Sequence, residues 1–228
     1  LKEKGRVYLA SMGIYVFDRE PLRSLLEANP DDNDFGKQII PKAIEEAKVV
    51  NYPFTGYWRD VGTIQSFYEA NLMMGQPEPK FSLYDPNRPL YTHARMLPPA
   101  KVQNANITDS LIAEGSLVVE SDVSKSVVGI RSYVGPNTTL KNTVMMGADH
   151  FRWHEMEERG FLEGPANPGI GEGSVVNGAI IDKNVSIGKN CVIENREGVE
   201  EKETDRYHIR DGIVVIPKNT VIPDGTVI

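Results

Sequence analysis

The sequence is poor in the residues that staple or metallate a small fold. It has one cysteine, Cys191, and four histidines in 228 residues. One thiol excludes an intrachain disulfide. It occupies a small-residue position of a repeat described below, so a packed thiol is expected rather than a reactive one. His150 and His154 have no Cys or carboxylate partners at metal-ligand spacing and read as loop residues. There is no excess of basic charge. The net charge of −7 excludes the basic stripe that a nucleic-acid surface needs. There is no long apolar run, which excludes a transmembrane helix, and no signal peptide is visible. The chain opens on Leu1 and charged residues and turns at once to an apolar stretch, so a fragment or processed chain is expected. Its length suits one large domain or two small ones.

What the sequence does have is a count of six. Ile216, Ile222 and Ile228 are six apart, and the hexads Ile216–Val221 and Ile222–Val227 share their pattern with copies starting at Val134, Ile170, Ile181 and Ile187. A helix would repeat its apolar residues every three to four positions and a strand every two. A period of six fits a solenoid in which each hexad is one short strand and one corner. The aliphatic first position would point into the prism. The fourth position is Asn137, Gly173, Asn184, Asn190, Asn219 or Gly225, residue types that tolerate a left-handed backbone. The fifth is mostly small, as in Ser174, Cys191, Thr220 and Thr226. This is the pattern of a left-handed parallel β-helix. Imperfect coils begin near Ile107 and continue through Ile112, Val118, Val123 and Val128.

Three regions follow. Residues 1–76 read as α/β material: a buried strand over 6–17, a helix capped by Asp18, a helix opened by Asp34 and bent by Pro41, a strand over 49–54, and a helix beginning at Thr63. Residues 77–100 are a linker rich in proline, from Pro77 and Pro79 to Pro98 and Pro99. Residues 101–228 are the β-helix, with inserted loops at about 147–169, which carries Trp153, and at about 194–212.

The chemistry-bearing segment is Gly56-Tyr57-Trp58-Arg59-Asp60-Val61-Gly62-Thr63, which places one carboxylate between aromatics and a glycine just before a helix. Taken bare, Asp60 is more often a cap or turn residue than a metal ligand. Asp34-Phe35-Gly36 looks like a kinase motif, but the rest of that signature is absent.

These segments resemble a known family. Ala10–Phe17, Asp34–Pro41 and Gly56–Thr63, then Tyr84–Pro86, Pro89–Thr92, Met145–Asp149 and Ile180–Asn184, are similar in order to ADP-glucose pyrophosphorylase (glucose-1-phosphate adenylyltransferase), most closely the plant and cyanobacterial type. The resemblance implies the end of a Rossmann-like nucleotidyltransferase domain followed by a left-handed β-helix used for regulation and oligomerisation. The family's glycine-rich triphosphate loop, one metal-binding aspartate and the sugar-phosphate lysine lie upstream of the matching segments, and the 228 residues alone are expected to be inactive. The implied reaction joins ATP and glucose 1-phosphate into ADP-glucose and pyrophosphate, with Mg²⁺ as the cation.

On this resemblance Asp60 matches a metal-binding catalytic aspartate. Ser11 matches a serine at the glucose site, against the plain reading of a satisfied strand serine. Trp58 either walls the sugar site or packs in a core. Lys183 and Lys218 match activator positions for a phosphorylated metabolite. Arg131 is a further anion-site candidate, and Lys189 reads as a solvated corner lysine. A homo- or hetero-tetramer is implied, in the cytoplasm, or in a plastid if the source is a plant or alga, with no nucleic-acid or membrane partner.

Three alternatives stand beside this reading. One is a non-catalytic regulatory subunit, suggested by Arg59 where an acidic residue is common. Another is a sister sugar-nucleotide pyrophosphorylase. The third is a hexapeptide acyltransferase, for which His150 would be the base.

Overall fold

A computed structural model of the chain describes residues 10–151 and 167–228. Trp153, His154 and residues 6–9 of the expected first strand lie outside them. The chain forms two compact units, Leu1–Gly56 and Tyr57–Ile228.

In the first unit, helix α1 (Arg19–Ala28) follows Asp18 as expected, although the Asp18 side chain makes no capping bond. Asp34 does cap, accepting from the Lys37 N–H at 2.8 Å. The turn it opens, Phe35–Ile39, is π-helical and leads into α2 (Ile40–Glu46). Pro41 offers no N–H and crowds the carbonyl four residues back, so the widened turn just before it replaces the bend expected in a regular helix. The two strands expected in this region are absent among the described residues. Residues 10–17 and 49–54 pair with nothing, and Ile14, Val16, Val50 and Tyr52 are exposed. An alternating sequence becomes a strand only when a neighbour takes its backbone groups.

The second unit is a parallel β-helix. Where no insertion intervenes its strands pair with strands sixteen or seventeen residues further on, as Lys101 with Leu117 and Asp122 with Thr139; across the insertions the partners lie further along, as Val134 with Ile170 and Ile187 with Ile222. Three aliphatic columns run down the prism. Val118, Val134, Ile170, Ile187 and Ile222 stack on one face. Ile107, Val123, Leu140, Val176 and Ile193 stack on the second. Ile112, Val128, Met145, Ile181 and Ile216 stack on the third. All but Ile107 and Ile112, in the first coil, are buried.

The corners have the expected left-handed backbone: φ is +54° at Asn137, +59° at Asn184, +53° at Asn190 and +64° at Asn219. In the early coils Glu120, Lys125 and Arg131 adopt it as well, which is why the sequence pattern fades there. The buried hydroxyls beside the corners tie coil to coil. Ser174 Oγ donates to the Gly188 carbonyl at 3.0 Å and accepts from the Cys191 N–H at 3.0 Å. Cys191 is itself buried.

Helix α3 (Ile64–Met73) covers the outside of the third face. Ile64, Phe67, Tyr68 and Leu72 pack on Val144, Ile180 and Ile213. The Tyr68 hydroxyl donates to the Asn142 carbonyl, and burial pushes its pKa up. By contacts, then, α3 belongs with the β-helix rather than with the helices before it. Residues 77–100 hold no helix or strand. The second insertion is more ordered than a loop. Lys202–Glu203 and His208–Arg210 form an antiparallel hairpin that pairs onto Ile213–Ile216. Among the described residues, no helix is long and apolar enough to cross a membrane.

Candidate functional site

Asp60 lies in an exposed turn. Its Oδ1 accepts the Gly62 N–H at 2.7 Å. A Cβ on Gly62 would meet that oxygen at 3.0 Å, so glycine lets the turn close tightly. The next residue, Thr63, caps α3 reciprocally with Ser66, through Ser66 N–H to Thr63 Oγ1 at 3.1 Å and Thr63 N–H to Ser66 Oγ at 3.2 Å. Asp60 is therefore carried on the N-terminus of a helix that is itself fixed to the β-helix. Trp58, two residues earlier, is 42% exposed. Among the described residues, no three His, Cys, Asp or Glu side chains converge as a metal site. One exposed carboxylate still fits Mg²⁺, which takes one or two carboxylates and completes its shell with water and substrate phosphate.

Arg59 does not face Asp60 as a competing cation. Its guanidinium pairs with Glu69 on α3. Glu69 also accepts from Gln65 Nε2 at 3.0 Å, and hydrogen bonds from Arg59 and then Gln65 hold its carboxyl below the usual range. In the first unit, the Ser11 hydroxyl is engaged locally, 3.0 Å from the Tyr15 hydroxyl and 3.2 Å from the Gly13 N–H, and is exposed. It is not the strand serine of the plain reading.

The structure brings Lys183 and Lys218 together. They hold equivalent positions in successive coils, because the Asn219 N–H donates to the Lys183 carbonyl at 3.0 Å. Both ammonium groups meet Asp149, Lys183 Nζ at 2.9 Å from Oδ1 and Lys218 Nζ at 3.4 Å from Oδ2. Asn184, buried in its left-handed corner, accepts the Asp149 N–H at 2.8 Å and donates to Asp149 Oδ2 and Asn219 Oδ1, each at 3.1 Å. Arg131 lies one coil away. It donates to the Ala148 carbonyl at 3.2 Å, and its guanidinium stands 5.7 Å from the Phe151 ring centroid. Asp182 turns onto its own backbone, accepting the Lys183 N–H at 2.6 Å. Lys189 sits at a different corner and pairs loosely with Glu172 at 3.4 Å.

The residue that sequence reasoning missed is Asp149. Its contact with the lysines depends on how coils align across two insertions, and no local spacing encodes that. The Lys183 hydrogen bond, aided by Asn184 and Lys218, lowers its pKa from the ordinary 3.8 to about 2. A depressed carboxyl contributes stability above its unfolded pKa and loses it as pH falls through the folded one. The stability difference between the wild-type chain and Asp149→Asn should therefore be constant above about pH 5 and should vanish as pH falls from about 4 to 2. Thermal unfolding at stepped pH reads this directly. A difference that persists at pH 2 would show that the ion pairs are not its source. With the side chain 39% exposed, solvent screening keeps the effect small.

Comparison with known families agrees with this architecture. Residues 2–76 match the nucleotidyl transferase family model. Residues 95–227 match the model described as the GLGC left-handed parallel beta-helix domain. A nucleotidyltransferase segment thus precedes a left-handed β-helix, and the chain belongs to the GLGC left-handed parallel β-helix family.

Proposed function

We propose that the protein is a glucose-1-phosphate adenylyltransferase that makes ADP-glucose and pyrophosphate from ATP and glucose 1-phosphate, for glycogen or starch synthesis. The observation that carries this reading is the order of the two family segments on one chain. In the reaction, a phosphate oxygen of glucose 1-phosphate attacks the α-phosphorus of ATP and pyrophosphate leaves in line. Asp60 would hold Mg²⁺ through one carboxylate oxygen, and the cation would offset the charge that develops on the phosphoryl oxygens. The Gly62 N–H fixes one Asp60 oxygen and so orients the other. Ser11 is assigned to a sugar hydroxyl and Trp58 to the wall of the sugar site. Both are exposed. Lys183, Lys218 and Arg131 are assigned to a phosphorylated effector, and the assembly is taken to be a tetramer.

The pairing of Arg59 with Glu69 favours a catalytic chain over a non-catalytic regulatory subunit, because it turns the guanidinium away as a rival cation. The test is pyrophosphate release by the protein as its gene encodes it, with Mg²⁺ and glucose 1-phosphate and one of ATP, GTP, UTP or dTTP. Release with ATP alone is expected, and the 228 residues by themselves should release none. Release with another nucleotide would assign a sister pyrophosphorylase. No release from folded protein would return the regulatory subunit.

A further inference from the structure

The effector assignment leaves unexplained why a carboxylate already lies between the two lysines. Asp149 presents two oxygens to three donors, Lys183, Lys218 and Asn184. Two ammonium groups and an amide around two oxygens is the arrangement that a bound phosphoryl group would make. We propose that Asp149 is an internal stand-in for the anionic group of the effector, displaced when a doubly charged phosphate binds Lys183 and Lys218. The inference rests on the reading that these lysines take a phosphorylated ligand.

Three features make the exchange feasible. First, the amide donor stays in place without it. Asn184 is buried with its backbone in the corner conformation and is bonded to Asn219. Second, the backbone of Asp149 is anchored separately, through its N–H to Asn184 Oδ1, so only an exposed side chain has to swing out. Third, the charge favours it. Among the described residues, two cations, Lys183 and Lys218, pair with Asp149, Arg131 reaches the neighbouring Ala148 carbonyl, and the Asp182 carboxylate is turned onto backbone. A monoanion gains nothing by replacing a tethered carboxylate of equal charge. A phosphate dianion gains the second charge. Asp149 thereby keeps two like-charged lysines converged while sets of weaker anions are refused, and it sets the affinity of the corner for stronger ones.

The test is calorimetric titration of inorganic phosphate at pH 7.5 into the 228-residue chain and three variants: Asp149→Asn, Asp149→Ser and the double variant Lys183→Ala/Lys218→Ala. Thermal unfolding confirms that each is folded, and the serine variant serves if the asparagine variant is not. Removing the stand-in should tighten phosphate binding by roughly tenfold and should let acetate bind, which the wild-type chain refuses. The double lysine variant should lose phosphate binding. If the Asp149 variants bind phosphate equally or more weakly while the lysine variant loses it, the anion site stands and the stand-in falls. If the lysine variant binds as the wild type does, or if no chain binds, the effector reading falls and the stand-in with it.

Discussion

Asp60→Asn should reduce pyrophosphate release by the gene-encoded protein on the order of 10²- to 10³-fold, with little change in folding. The substitution is nearly isosteric. Asn Oδ1 can still accept the Gly62 N–H, so the turn and the Thr63–Ser66 cap of α3 should persist. What is lost is one negative charge. On the proposed reading that charge holds the cation that offsets developing charge on the phosphate, and few other contributions act so specifically on the transition state. The effect should fall on kcat, and raising Mg²⁺ should recover part of it. Unaltered turnover would remove Asp60 from the metal site and return it to the ordinary role of a turn residue. A fall in turnover that tracks a fall in unfolding temperature would point to the turn instead of the charge.

The largest effect on stability should come from the interior columns. Ile181 is buried between Met145 and Ile216 on the third face. Ile181→Ala should cost about 2–5 kcal/mol. The columns cannot collapse readily into the gap, because each coil is held at strand spacing by backbone pairs above and below it. Val221 is the contrasting case. It lies on an outward position of its strand and is exposed, so Val221→Ala should change stability by no more than about 0.5 kcal/mol. Denaturant unfolding separates the two through the shift in midpoint. Equal costs would mean that the inward and outward positions have been exchanged, since a slip of one residue turns every side chain to the other face. Ile181 also immediately precedes Asp182 and Lys183, so its loss should loosen the corner that carries the lysines.

The reach of the sequence differed between the two units. In the β-helix, inward and outward positions, corners and small buried residues were all legible, since each is a local requirement repeated in every coil. The early coils were less legible because Glu120, Lys125 and Arg131 carry a left-handed backbone that their residue types do not advertise. In the first unit the helices were read correctly from apolar spacing, and of their two expected caps Asp34 makes its bond and Asp18 does not. Among the described residues the strands expected over 10–17 and 49–54 did not form, because alternation states which face a strand would bury and cannot supply the partner. The hairpin in the second insertion was missed for the converse reason. Its charged residues look like a loop, and its order comes from pairing onto Ile213–Ile216.

The candidate functional residues divide along the same line. Asp60, Trp58, Ser11 and the two corner lysines were visible as residues in motifs. Their surroundings were not. That Arg59 turns to Glu69, that α3 is fixed to the β-helix, and that Lys183 and Lys218 share Asp149 are all facts of alignment between distant segments. By itself the sequence determined the solenoid, its core and its corners, because those follow from a six-residue period acting on the nearest neighbours. Only the tertiary structure decided which charges meet, because the insertions between coils set how far apart in sequence two neighbouring corners lie.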